Sequence, residues 1–273
     1  MKRYTLWLPG FVYGYLGFLL LLPLGALIGS SWQYTWPELW QLVTAPVALA
    51  AYQLTLVTAL IAALVNTVLG LVLAWVLVRY EFPGRRWLDS LVDLPFAMPS
   101  VVAAITLATL YGQGGVIGQL WDEGTLLGRL LPLNFTASVQ AVVLAQLFVT
   151  LPFVVRTVQP VLWELEPEVE EAAYTLGASP WLCFRRVILP QLTPALVTGF
   201  TLALARGIGE FGVVVLISGN IPYQTLAATV YIYQQLEAFN YPAATAIALV
   251  LLVVSLVLFS LTRCVQGRVL LRM

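Results

Sequence analysis

The chain has 273 residues, 60% of them hydrophobic and only 10% charged, with a mean hydropathy of +0.91. Basic and acidic residues number 13 each, so the net charge is zero and no basic surface for nucleic acid is indicated. Histidine is absent and Lys2 is the only lysine. A phosphate loop needing a Gly-Lys pair cannot be built, and no metal cluster or nucleophile–base constellation suggests an enzyme.

Apolar runs of about 20 residues cross a bilayer as helices. Six are predicted, at roughly 11–29, 53–78, 90–111, 136–158, 194–217 and 243–262. The fold class is therefore an all-α, polytopic membrane helical bundle, read as a single domain over 1–273. Lys2 and Arg3 precede the first run, but no small-x-small cleavage site follows it, so it reads as an uncleaved span. The loop at about 30–52 carries Trp32, Trp36 and Trp40 and no basic residue, which suits an interfacial aromatic belt.

Arg79, Arg85 and Arg86 follow the second run. The third contains Asp93-Leu94-Pro95-Phe96-Ala97-Met98-Pro99-Ser100. Two prolines four apart each remove a backbone donor, and such breaks are tolerated at membrane depth where protein or a water-filled cavity satisfies the freed carbonyls. Pro95, Pro99 and Ser100 are thus either a packing kink or part of a pathway or gate. The loop at about 112–134 carries Asp122 and Glu123, and Leu151-Pro152-Phe153 predicts a kink in the fourth run.

From Pro160 to Pro194 the pattern changes. Glu164, Glu166, Glu168, Glu170 and Glu171 form an acidic run, and Ala172-Ala173 begins a stretch of good helix formers. Gly177 breaks that helix, and Ser179-Pro180 restarts one as N-cap and first helical residue. The second short helix is expected to turn Trp181, Phe184, Val187 and Ile188 to one side and Arg185-Arg186 to water, and to stop before Pro190 and Pro194. An apolar-aromatic face beside charges is what a docking element needs.

Arg206 and Glu210 fall inside the fifth run; a spacing of four puts them on one helical face, where pairing lowers the cost of burying charge. Gly207, Gly209 and Gly212 admit close approach by a neighbouring helix. The pair is either a structural tie or part of an anion pathway. Ser218-Gly219-Asn220 reads as a turn at the outer end of the run, and the loop at about 218–242 ends near Glu237.

Orientation follows from the basic residues. Lys2, Arg3, Arg79, Arg85, Arg86, Arg156, Arg185, Arg186, Arg263, Arg268 and Arg272 fall on one side, and only Arg129 on the other. That asymmetry places both termini and the two basic loops in the cytoplasm. Cys183 and Cys264 then lie on the reducing side and are expected as free thiols.

Glu171-Ala172-Ala173, three residues, Gly177, nine residues, then Val187-Ile188-Leu189-Pro190 resembles the EAA motif of ABC importer permeases, with Val187 in the usual Ile position. The resemblance implies that the segment at about 160–194 is a coupling element for a cytoplasmic ATP-binding subunit. Glu171, Ala172, Ala173, Gly177, Ser179, Pro180, Val187, Leu189 and Pro190 would carry that role. ATP would be bound by the partner, and this chain would need no cofactor of its own.

Beyond the motif, the chain is similar nearly end to end to T-type permease subunits of sulfate/thiosulfate importers, within the sulfate–molybdate group. The resemblance rests on 75–86, 93–99, 151–162, 207–212, 218–220 and 241–247. It implies an extracytoplasmic sulfate-binding protein, a second permease chain (a related W-type subunit or another copy) and a multi-pass location in a bacterial-type inner membrane. Ser218 and Asn220 join the candidate pathway residues on this ground. Molybdate, tungstate or another oxyanion stays open as cargo, and a secondary transporter using Arg206 and Glu210 as a charge relay is the reading from a different class.

Overall fold

The computed structural model describes residues 7–112, 114–121, 125–130 and 133–270. Lys2, Arg3, Asp122, Glu123 and Arg272 therefore lie outside the described residues. Fourteen helices are described there, in the order α1 (Trp7–Ser31), α2 (Trp36–Val43), α3 (Pro46–Arg79), α4 (Arg85–Val92), α5 (Leu94–Ala97), α6 (Ser100–Tyr111), α7 (Leu126–Leu130), α8 (Val139–Glu164), α9 (Pro167–Thr175), α10 (Pro180–Cys183), α11 (Leu189–Ile208), α12 (Val214–Ile217), α13 (Ala228–Glu237) and α14 (Tyr241–Leu270). No strand occurs among the described residues.

Among the described residues, five helical segments are long and apolar enough to cross a membrane: Pro9–Ser31, Pro46–Arg79, Val139–Glu164, Pro180–Ile208 and Tyr241–Cys264. The expected third span is not one helix. It divides into α4, α5 and the 12-residue α6, with extended backbone at Met98 and Pro99. Pro99 has no N–H to continue the ladder and pushes Met98 out of the helical region, so the chain breaks there instead of bending. The fifth expected span also ends early, at Ile208, and resumes only as α12. Pro152 and Pro160, in contrast, sit inside a continuous α8.

The core is built on α3, α8 and α11, where small residues let backbones meet. A Cβ on Gly70 would come 2.7 Å from Val154 Cγ1, and one on Gly199 2.9 Å from Val154 Cα. Two large apolar clusters result among the described residues. One runs along α3 and α11 with the α8 residues Val154, Val155, Val158 and Leu162. The other joins Ala103, Ala104 and Leu107 of α6 to Ala141, Val142, Ala145 and Val149 of α8 and to Val213, Val214 and Ile217.

A buried polar chain crosses the core. Asn66 Nδ2 donates to Thr150 Oγ1 at 2.8 Å and to the Leu147 carbonyl at 2.9 Å, Thr150 Oγ1 donates to the Gln146 carbonyl at 2.8 Å, and Gln146 Nε2 donates to the Gly207 carbonyl at 3.2 Å. It pins α3, α8 and α11 in register, since unpaired amides are costly away from water.

Candidate functional site

Two regions gather the residues singled out by the sequence. The first is the polar insert. Its helix begins at Pro167, earlier than Ala172-Ala173, so Glu168 and Glu170 occupy the first turn, where carboxylates suit the helix N-terminus. It ends in a Schellman arrangement: the Gly177 N–H donates to the Tyr174 carbonyl at 2.9 Å and the Ala178 N–H to the Ala173 carbonyl at 3.0 Å. Gly177 has φ +85, the left-handed conformation glycine adopts without strain. Ser179 then caps the restart, its Oγ accepting from the Leu182 N–H at 3.3 Å, with Pro180 in the first turn.

The expected stop before Pro190 does not occur. The chain forms one wide turn over Phe184–Ile188, with the Leu189 N–H donating to the Phe184 carbonyl, and runs on as α11 through Pro190 and Pro194. A proline ring clashes with the carbonyl four residues back; the extra residue in the π-type turn shifts that carbonyl away, so Pro190 starts a helix instead of ending one. The expected apolar face is also redistributed. Ile188 is buried and Phe184 and Val187 are partly so, packed on the core, whereas Trp181 is 68% exposed and Leu176 89% exposed. Arg185 and Arg186 face outward as expected.

The insert is fixed to the basic end of α3. Arg79 pairs with Glu170 and lies 5.2 Å from the centre of the Trp75 ring. Trp75 packs edge-on against Phe184 at 5.4 Å, and Phe184 stacks with Trp181 at 5.7 Å. Cys183 is buried beneath, and both it and the exposed Cys264 are free thiols. Glu171, Ala172, Tyr174, Leu176, Gly177, Ser179, Pro180 and Trp181 remain on the outside, with Ala173 and Ala178 between them packed on the core.

The second region is where the two broken spans meet. Ser100, the first residue of α6, touches Gly212: a Cβ there would lie 2.5 Å from Ser100 Cβ and 2.9 Å from its Oγ. Arg206 and Glu210 do not share one helix, as the spacing predicted, because α11 closes at Ile208 with Gly209 as its cap. They pair nonetheless. Glu210 Oε2 lies 2.6 Å from Arg206 Nη1, a charge contact without the angle of a hydrogen bond. Glu210 Oε1 accepts from the Val213 N–H at 3.0 Å, and the Thr229 hydroxyl donates to the Glu210 carbonyl at 2.8 Å. The Glu210 side chain is 1% exposed and that of Arg206 39% exposed. The carboxylate thus holds the break together while the guanidinium keeps an open side.

Pro95 lies in the first turn of α5 and Pro99 immediately precedes α6. Ser218 and Asn220 stand apart from this crossing and close the end of α12. Ser218 Oγ donates to Asn220 Oδ1 at 2.7 Å, and Asn220 Nδ2 donates to the Val215 carbonyl at 2.7 Å, with Asn220 at φ +54.

Sequence reasoning missed Arg156 as anything but an orientation marker. Its Nε and Nη2 donate to the two Asp93 oxygens at 2.7 and 2.6 Å, its Nη1 to Asp89 Oδ1 at 2.7 Å and its Nη2 to the Asp89 carbonyl at 2.7 Å. Gln159 accepts from Nη1 at 2.5 Å and donates to Asp89 Oδ1 at 3.0 Å. Gln159 at the edge of an apolar run was the signal that could have found this cluster.

Residues 66–271 match the family described as binding-protein-dependent transport system inner membrane component. The chain is 51% identical, over 97% of its length and 91% of the relative's, to a Nephroselmis olivacea protein named Probable sulfate transport system permease protein cysT. It is 45% identical to the Escherichia coli K12 Sulfate transport system permease protein CysT, covering 96% and 94% of the two chains. Among solved structures, a bacterial ABC transporter involved in alginate import matches with a TM-score of 0.76 at 20% identity, over 97% of this chain and 94% of that one. An inward-facing methionine ABC transporter matches with a TM-score of 0.63 at 18% identity, over 86% and 99%. These two carry the fold alone; the family match and the two sequence relatives carry kinship, and the chain belongs to the binding-protein-dependent transport system inner membrane component family.

Proposed function

We propose that this chain is the membrane-spanning permease subunit of an ATP-driven importer and that its cargo is sulfate, with thiosulfate as a close analogue. The observation that carries the cargo is the 51% identity, over 97% of the chain, to a protein named for sulfate transport. The chain hydrolyses no ATP itself; hydrolysis belongs to a separate subunit. It acts as one domain over 1–273 in a plasma membrane (the inner membrane, in a bacterium). Counting the broken third span as one crossing gives six, with both termini and the basic end of the bundle in the cytoplasm.

In this reading the segment at about 160–194 docks on a cytoplasmic ATP-binding subunit. The exposed Leu176 and Trp181 supply apolar contact, and Glu171, Ala172, Ala173, Gly177, Ser179, Pro180, Val187, Leu189 and Pro190 supply its shape. A second permease chain completes the pathway and an extracytoplasmic binding protein delivers the anion. The alginate transporter solved with its periplasmic protein is a precedent for that arrangement in a protein of like fold. Arg206 and Ser100, at the crossing of the broken spans, are the residues we assign to the passing anion. Helix breaks lining a cavity are the usual membrane setting for such a site. Pro95 and Pro99 allow the third span to yield, and Ser218 and Asn220 hold the outer end of the fifth.

The test is uptake in a strain lacking this gene. The restored gene is expected to return ATP-dependent accumulation of labelled sulfate, competed by thiosulfate. Return of molybdate but not sulfate uptake would overturn the cargo. Uptake driven by an ion gradient, with no ATP-binding subunit purifying alongside, would overturn the class.

A further inference from the structure

The third and fifth spans break, and α3 and α8 pack closely beside the breaks. Phe96, just before the third-span break, packs edge-on against Phe153 of α8 at 5.1 Å, next to Pro152. A Cβ on Gly207 would lie 3.2 Å from Ala59 and 3.9 Å from Thr150 Cγ2, beside the point where the fifth span breaks. Ser100 meets Gly212 across the two breaks. The two apolar clusters also divide along α8, whose buried residues up to Val149 belong to one and from Val154 onward to the other. The halves of the third span accordingly belong to different packing units. Val92 at the end of α4 sits in the first cluster, and Ala103, Ala104 and Leu107 of α6 sit in the second.

Arg156 ties the lower half of that span to α8 with unusual completeness. A guanidinium has five N–H donors, and all five are taken by the two Asp93 oxygens, Asp89 Oδ1, the Asp89 carbonyl and Gln159 Oε1. Gln159, itself 2% exposed, then closes the ring onto Asp89. The Asp89 and Asp93 side chains are 40% and 50% exposed, and ion pairs that open to solvent add little net stability. A fork saturated with acceptors yet weakly stabilising is suited to fixing orientation. Lysine, a point charge with three donors, cannot reproduce it.

We propose that Arg156 is a positioning residue for translocation, acting through Asp89 and Asp93. It holds α4 and α5 on α8, so the third span yields only at Met98–Pro99, where Ser100 meets Gly212, two residues past Glu210. This rests on the permease reading above. Motion entering at the polar insert then reaches the crossing of the broken spans through a fixed lower half, and α6 moves with α12 and the upper part of α8.

The experiment uses the complete importer, with its ATP-binding subunits, second permease chain and binding protein, in proteoliposomes. Arg156→Lys and Asp93→Asn are each compared with the unaltered chain in a Cys264→Ser background. Both variants are expected to assemble, yet to move at least tenfold less sulfate per ATP hydrolysed. Maleimide labelling at Ser100→Cys should change severalfold in both, while labelling at Gln41→Cys, remote from the clamp, should not. Transport per ATP within twofold of the unaltered chain overturns the proposal. So does a loss of transport that follows loss of assembly, or that leaves Ser100→Cys labelling untouched, since either would make the clamp purely structural. An unaltered importer that moves no sulfate would instead count against the permease reading itself.

Discussion

At Gly177 a single backbone angle shapes the polar insert. Nothing stands within 4 Å of where a Cβ would be, so a substitution there meets no steric wall and is strained only through φ +85. Gly177→Ala is expected to cost about 1 kcal/mol, leaving uptake within a few-fold of normal. Gly177→Pro is a different change. It fixes φ near −65° and removes the N–H that donates to Tyr174, so the two short helices lose their angle. Uptake should vanish while the chain still reaches the membrane; vesicle uptake beside a membrane immunoblot checks both, and surviving uptake would remove the docking assignment. This part of the site was legible in the sequence because its causes are local: a glycine needing positive φ, and a serine and proline needing a helix start. The Arg79–Glu170 pair was not, because its partners lie 91 positions apart and nothing nearby declares the contact.

Between elements, the contact of α6 with the loop before α12 is sterically tight. Gly212 has no room for a methyl group against Ser100. Overpacking of this kind costs about 1–3 kcal/mol and would be relieved here by parting the two breaks. Gly212→Ala should therefore lower uptake at least tenfold with the importer still assembled; Gly209→Ala, whose nearest neighbour is the Ala205 carbonyl oxygen at 3.7 Å, should be far milder. Equal losses in the two variants, measured as initial rates in proteoliposomes, would show that the contact is incidental. Element boundaries were the least legible feature. Hydrophobic runs marked the spans, but a run stays apolar across a break. Pro99 ended a helix whereas Pro152 and Pro190 did not, and the difference lies in whether neighbouring turns can take up the missing bond.

For the molecule as a whole, the insert and the fifth span form a single length of helix, Pro180–Ile208, 29 residues. At 1.5 Å per residue it is a rod of roughly 40 Å, reaching from the exposed Trp181 to Arg206 two residues before its end. The wide turn at Phe184–Ile188 sits near its Trp181 end and holds one residue more than regular helix would. The widened turn absorbs that extra residue, so the helix keeps its phase across it. Each residue of regular helix turns the chain by about 100°, so the face offered by Trp181 and the direction of Arg206 are related through the count of residues between them. Inserting one alanine between Gln191 and Leu192, in the regular helix, should swing Trp181 about a quarter-turn around the axis and leave Arg206 where it is. The lengthened chain is expected to sit in the membrane with its upper half intact but fail to retain the ATP-binding subunit on co-purification. Retention at the normal level would mean that docking ignores azimuth. Spacing along this helix is thus a matter of angular timing between the two ends of one shaft.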